Sequence, residues 1–294
     1  MPEAEEEKIE STPFLLKPKK IFFWEGFLFF LTLFLGIANS HRLKQLERAG
    51  VIESPPPISF WNVIISVSVL LLIILLVIKF VKFRPGKGIL FKFLFISMVF
   101  LGGGILFFSI WIGDIALIFI SILIFYWLKK PNILVHNFLL ISGTIGAGSF
   151  LGLRLDPLLV VFLLIAFSIY DVIAVYKTKH MIRMAKEFIE AGAMPGIILP
   201  QKISEFQASL KDVKIGGRFL ILGGGDIVFP LLLVSSLVPE GILKSLIVAI
   251  SATIGLLVSI EIFLSQKTRK PIPALPPIAL FSIIGYFIIR LIKV

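Results

Sequence analysis

The apolar residues of this chain fall in unbroken runs of about twenty, the length one helix needs to cross the hydrocarbon of a bilayer. Helices of soluble proteins carry spaced apolar stripes instead. Charged and proline breaks divide the 294 residues into nine such runs, near 21–39, 60–81, 89–108, 111–128, 133–152, 158–176, 219–238, 241–264 and 272–292. The expectation is an all-α polytopic membrane protein with nine transmembrane helices: a tail over 1–20, then one membrane domain over 21–294 whose longest loop is 177–218. Residues 89–128 are apolar almost throughout, and forty residues make about 60 Å of helix, twice a bilayer. A hairpin is required there, with its turn near 109–113 and Asp114 capping the next helix.

Charge orients the spans. A net charge of +11 points to nucleic acid in a soluble chain, but here the basic residues lie in the gaps between apolar runs and act as topology signals. With nine spans, twenty-one Lys and Arg fall on the side of the N-terminal tail and seven on the other, with Lys92 inside a span. The N-terminus is therefore expected in the cytoplasm and the C-terminus outside. The acidic start, Glu3 to Glu10, lacks the basic lead of a secretory signal, so the first run is read as a permanent span. Zero cysteines exclude disulfides and thiolate metal sites, and three scattered histidines, His41, His136 and His180, suggest no metal cluster. No cofactor and no nucleic-acid partner are expected.

A carboxylate at bilayer depth is costly, so each acid within a span calls for a reason. Glu25 and Glu261 lie near basic residues (Lys17, Lys19 and Lys20; Lys267 and Arg269) and read as interfacial ion pairs. Asp171 and Asp226 have apolar residues on both sides and no basic neighbour within a helical turn. Counted as helix, Asp171 lies about 9 Å from Lys177 and Asp226 about 12 Å from Arg218, on consecutive antiparallel spans, so the two carboxyls fall at nearly one height. Before Asp226 stand Gly223, Gly224 and Gly225, which permit close helix approach and local unwinding at a cost of roughly 1 kcal/mol each in helix propensity. Two carboxyls sharing a site hold one proton between them, so one can serve as base and the other as acid in peptide hydrolysis. The same features also fit glycine-mediated packing in which the aspartates bond each other or backbone.

Three motifs together resemble the presenilin and signal peptide peptidase family of GxGD intramembrane aspartyl proteases: Tyr170-Asp171 in the sixth span, Gly223-Gly224-Gly225-Asp226 in the seventh, and Pro273-Ala274-Leu275 opening the ninth. The resemblance implies a nine-helix protease that cuts transmembrane segments of other proteins within the bilayer. It implies catalytic Asp171 and Asp226, with Tyr170 beside the site and Pro273, Ala274 and Leu275 shaping it and holding substrate. It is silent on accessory subunits. Two departures stand out. Gly224 occupies a position where relatives often carry a larger apolar residue, which is expected to loosen the site, and the 177–218 loop is short beside that of animal presenilins. The expected orientation favours the presenilin branch.

Without the resemblance, Pro273, Pro276 and Pro277 mark either a helix start or non-helical backbone whose free edge pairs with a substrate strand. The glycines at 102–104 and at 143, 146, 148 and 152 read as packing notches. The rival from another class is a secondary transporter or ion pathway, since glycine-broken helices with buried acids also build coupling-ion sites. A non-catalytic receptor or assembly factor is a third reading.

Overall fold

The computed structural model describes residues 18–53, 65, 87–111, 113–177, 185, 187–200, 203–213, 219–266 and 271–292, with side chains throughout except at 18–22 and 87. Among the described residues, eight α-helices form the frame: α1 Pro18–Arg48, α2 Lys87–Trp111, α3 Asp114–Lys129, α4 Ile133–Gly152, α5 Pro157–Val172, α6 Gly224–Leu237, α7 Ile242–Leu264 and α8 Leu275–Leu291. A π-helical turn, Ile173–Lys177, continues α5. Among the described residues, five helical stretches are long and apolar enough to cross a membrane: Phe23–Arg48, Gly88–Trp111, Ile133–Gly152, Pro157–Lys177 and Ile242–Leu264. The last helix is apolar but shorter. The expected span at 60–81 lies outside the described residues.

Helix α4 is the axle, packed against α1, α2 and α6. Its glycines allow this. A Cβ on Gly146 would run into the backbone of Gly102 on α2, and one on Gly148 into Leu231 on α6, so small residues let the backbones close in as membrane helices require. Outward faces carry large apolar side chains such as Ile89, Ile115, Phe125, Phe162 and Leu280. Lipid, as apolar as these side chains, makes such a surface stable.

Two local expectations are corrected. The hairpin turn falls at the end of the expected 109–113: α2 continues to Trp111, α3 starts at Asp114, and Ser109 stays helical, donating to Asn39 of α1 at 2.5 Å. Gly113, at a φ of 116° that other residues rarely adopt, occupies the N-cap position, while Asp114 makes no cap bond and lies in the first turn, where its charge meets the helix dipole. Finally, the run at 219–238 does not begin as helix. Residues Phe219–Gly223 form a strand, β2, antiparallel to β1, Gly196–Pro200, which is the apolar patch of the long loop. An extended residue rises about twice as far as a helical one, so depth counted as helix from Arg218 understates the distance to Asp226.

The bundle has two unlike ends. At one, which we call the far end, α1, α4, α6 and α8 finish and α5 and α7 begin, joined by short turns. At the other, the site end, α5 and α7 finish, α6 and α8 begin, and the β1–β2 ribbon closes over them.

Candidate active site

Asp226 is placed by the way α6 starts. Gly223 is the N-cap, which puts Asp226 at the third helical position. From there its carboxyl reaches back to accept a hydrogen bond from the Gly223 amide, the geometry by which an acidic residue satisfies an otherwise unpaired amide at a helix start. Of Gly224 and Gly225, only the first is dictated by space. A Cβ on Gly224 would sit 2.8 Å from the Pro195 carbonyl oxygen, which accepts from the Gly224 amide at 2.8 Å. The space a larger residue would occupy is filled by the backbone leading into β1, so the expected loosening at Gly224 does not arise. A Cβ on Gly225 would meet only the Phe229 ring, at 3.8 Å, and no contact in the structure demands glycine there. The glycines thus admit a strand to the start of α6.

Asp171 stands in the last turn of α5, immediately before the π turn, a backbone irregularity frequent at functional sites. It too takes an amide from a helix start, since Leu275 at the head of α8 donates to its Oδ2 at 3.3 Å. Residues Pro276 and Pro277 have no amide hydrogen, so of the first three residues of α8 only Leu275 can donate. The proline motif thereby points one donor at Asp171. Pro273 and Leu275 are buried against the bundle, and Ala274 is half-buried at the N-cap.

Asp171 and Asp226 are both buried, at 7% and 8% exposure, and close enough to interact electrostatically. Stacking of Phe167 on Phe229, with ring centroids 4.3 Å apart, joins α5 to α6 one turn from each carboxyl. The structure therefore brings together Asp171, Asp226, Gly223, Gly224 and Leu275. Tyr170 it does not: its side chain is 59% exposed at the bundle surface, because the residue after it faces inward.

Two neighbours of this site escaped the sequence reading. Asn137 on α4 clips β1: its Nδ2 donates to the Ile198 carbonyl at 2.7 Å and its Oδ1 accepts the Ile198 amide at 2.9 Å. The signal was a carboxamide inside an apolar run, which seeks a partner in lipid surroundings. Glu25, expected as an interfacial ion pair, is 4% exposed, with Oε2 buried and without a hydrogen-bond partner among the described residues, and it interacts electrostatically with Asp226. The side chains of Lys19 and Lys20, like Lys17, lie outside the described part of the structure. So do Lys267 and Arg269, the partners expected for Glu261, which is exposed.

The chain as a whole also matches a known family. Residues 27–293 fit the family described as signal-peptide peptidase, presenilin aspartyl protease. The chain belongs to that family. Membership makes it a multi-pass integral membrane protein and an intramembrane aspartic endopeptidase, and it lends no support to the transporter reading. Its fold is similar to two solved structures of a presenilin family intramembrane aspartate protease. The one in space group C222 has a TM-score of 0.62 at 21% identity, covering 91% of this chain and 99% of that one. The one in space group P2 has a TM-score of 0.56 at 20% identity, covering 90% and 96%. No curated protein matches the chain.

Proposed function

We propose that this family member hydrolyses peptide bonds within transmembrane segments of other proteins, using Asp171 and Asp226 as a catalytic pair. The observation that carries the reading is that both carboxyls are buried, each is fixed by a backbone amide at a helix start, and the two interact. Sharing one proton, the ionised member removes a proton from water while the other donates to the scissile carbonyl oxygen, giving a tetrahedral diol. On collapse the proton passes to the leaving nitrogen, the C–N bond breaks, and the pair returns to its starting protonation with an acid and an amine released. Titration belongs to the pair rather than to either residue.

Substrate must be extended for its peptide bond to reach the carboxyls. Ile198 of β1 is already taken by Asn137, whereas its partner Ile221 in β2 has no such bond to a third segment among the described residues. The outer edge of β2, three residues before Gly224, is thus the edge we assign to a substrate strand, and Pro273, Ala274 and Leu275 are assigned to holding the same substrate. Gly223 and Gly224 are supporting residues in this reading. Nine spans and a cytoplasmic N-terminus complete it, supported by the apolar runs and the division of basic residues.

The test is purified protein in liposomes with a panel of single-span substrates, comparing wild type with Asp171→Asn. Cleavage by the wild type alone is expected. Equal cleavage by both would remove the pair from the chemistry.

A further inference from the structure

At the far end, away from both carboxyls, the last turns of α1 and the turn between α6 and α7 enclose an open cleft of about 240 Å³. His41, Lys44, Gln45 and Arg48 line one wall, and Glu240 and Gly241 belong to the other. The first wall follows from helix periodicity. Positions 41, 44, 45 and 48 are spaced by three and four, so one face of α1 carries all four side chains. Lys44 and Arg48 are four apart, a spacing at which like charges repel, and a shared anion would turn that repulsion into attraction.

The described residues offer no such anion. Neither Lys44 nor Arg48 forms an ion pair among them, and the acids of this end are engaged or turned outward. Glu47 is held by Arg154 at 3.1 Å. Both Glu240 oxygens accept from Arg290, with Lys244 at 3.5 Å. Asp156 caps α5, accepting from the amides of Leu158 and Leu159. Glu53 and Asp114 are exposed. The stretch of chain that follows, 54–86, contains no Asp or Glu at all.

The surroundings indicate what kind of anion fits. Ile242 and Leu243, exposed in the first turn of α7, continue the lipid-facing surface to the edge of the cleft. The cleft thus lies where apolar surface gives way to charge, the level of a phospholipid headgroup. It also reaches the start of a 23-residue helix whose N-cap, Gly241, provides no side-chain cap, and the first amides there add to the positive potential of the two cations.

We propose that this cleft binds the phosphoryl group of an anionic phospholipid, held by Lys44 and Arg48 with its chains along the first turns of α7, and that the headgroup ties the end of α1 to the turn after α6. Phosphoryl oxygens accept charge-assisted hydrogen bonds from both cations at once. The Glu240 carboxylate on the opposite wall does not exclude the anion, because Arg290 and Lys244 already match its charge.

The experiment is native mass spectrometry and thermal melting of the full chain in a neutral detergent. It is titrated with dioleoylphosphatidylglycerol, with dioleoylglycerol, which has the same chains and no phosphate, and with inorganic phosphate. One retained phosphatidylglycerol and a rise in melting temperature are expected, with neither from dioleoylglycerol. In Lys44→Gln/Arg48→Gln the affinity for that lipid should fall about tenfold or more. In Lys129→Gln/Lys130→Gln, which removes two exposed cations at the site end, it should be unchanged. An equal fall in both double variants would reduce the effect to general surface charge and overturn the site. Protection by dioleoylglycerol, or by inorganic phosphate as strongly as by the lipid, would overturn the phospholipid as its occupant. These wild-type titrations decide the proposal even if a double variant fails to fold.

Discussion

The two ends of the bundle are built from the same apolar helices and differ in what they do with polar groups. At the far end several charges are paired across the turns. Arg290 donates to both Glu240 oxygens at 2.6 and 2.7 Å, Lys244 adds a contact at 3.5 Å, and Arg154 reaches Glu47 at 3.1 Å while lying over the Phe150 ring. At the site end Glu25, Asp171 and Asp226 are buried, Glu261 and Lys92 are exposed, and the amides of two helix starts are directed at carboxyls instead of water. The far end is arranged to hold helices together and the site end to hold two carboxyls in place. Damage at the site end should therefore appear in cleavage before it appears in stability, and damage at the far end the other way round.

The largest effect expected is at the pair itself. Asp171→Asn or Asp226→Asn should lower cleavage by about 10³-fold or more, and the double variant should be no worse than either single one, because the two act as a unit. Thermal melting in detergent should be unchanged or raised, since a buried acid is replaced by a neutral group. A double variant whose loss is the product of the single losses would show two independent sites and break the comparison at its centre.

Next is Gly224→Val, which pushes two methyl groups toward the Pro195 carbonyl and so displaces β1 from the start of α6. A misplacement of about 1 Å at a reacting group costs on the order of 100-fold in rate. We expect that loss in cleavage with a melting change of a few degrees at most. Gly225→Ala is the control, since a Cβ there finds room, and it should cleave nearly as wild type.

How much of this was legible beforehand follows from range. The helices α2, α4, α5 and α7 were readable because a lipid environment imposes long apolar runs on sequence, and the carboxyl pair was readable because charge in such a run is conspicuous. β2 was not, because Phe219-Leu220-Ile221-Leu222 is as apolar as any span and a strand is distinguished from helix there only by its partner β1, more than twenty residues earlier. Tyr170 was expected beside the site from the family resemblance, but adjacent residues on a helix face directions about 100° apart, and with Asp171 turned inward the Tyr170 side chain lies at the bundle surface. The depth of Glu25 inside the bundle was likewise invisible, since sequence gives its distance from lysines and not from Asp226. Leu275 of the proline motif is buried, so Leu275→Arg should damage folding as well as turnover.

A smaller effect is expected from Asn137→Ala. It removes both hydrogen bonds to Ile198 and leaves a buried amide and carbonyl of β1 unpaired, at a cost of about 1–3 kcal/mol. Because β1 and β2 run in register from Gly196 opposite Gly223, the loosened strand should reduce cleavage several-fold, chiefly through kcat, and raise hydrogen exchange at β1 and β2. A fall in melting temperature with unaltered cleavage would show that the site end is as structural as the far end.

The smallest effect, and the one that tests the far end by itself, is Glu240→Gln. The Arg290 hydrogen bonds, with Lys244 beside them, hold the Glu240 carboxyl below the usual carboxylate range. A group whose folded pKa lies below its unfolded one contributes stability that is fully present above the unfolded value and is lost as pH falls through the folded value. The pair is partly exposed, so the contribution is about 1 kcal/mol or less. Glu240→Gln should thus lower the melting temperature slightly at neutral pH, and the gap should close as pH is taken below the carboxylate range, where wild type loses the same charge. Cleavage at a temperature well below melting should be unchanged. Equal loss of cleavage at both ends would mean that the turn after α6 transmits its state along that helix to Asp226, and the separation of holding from reacting would fail there.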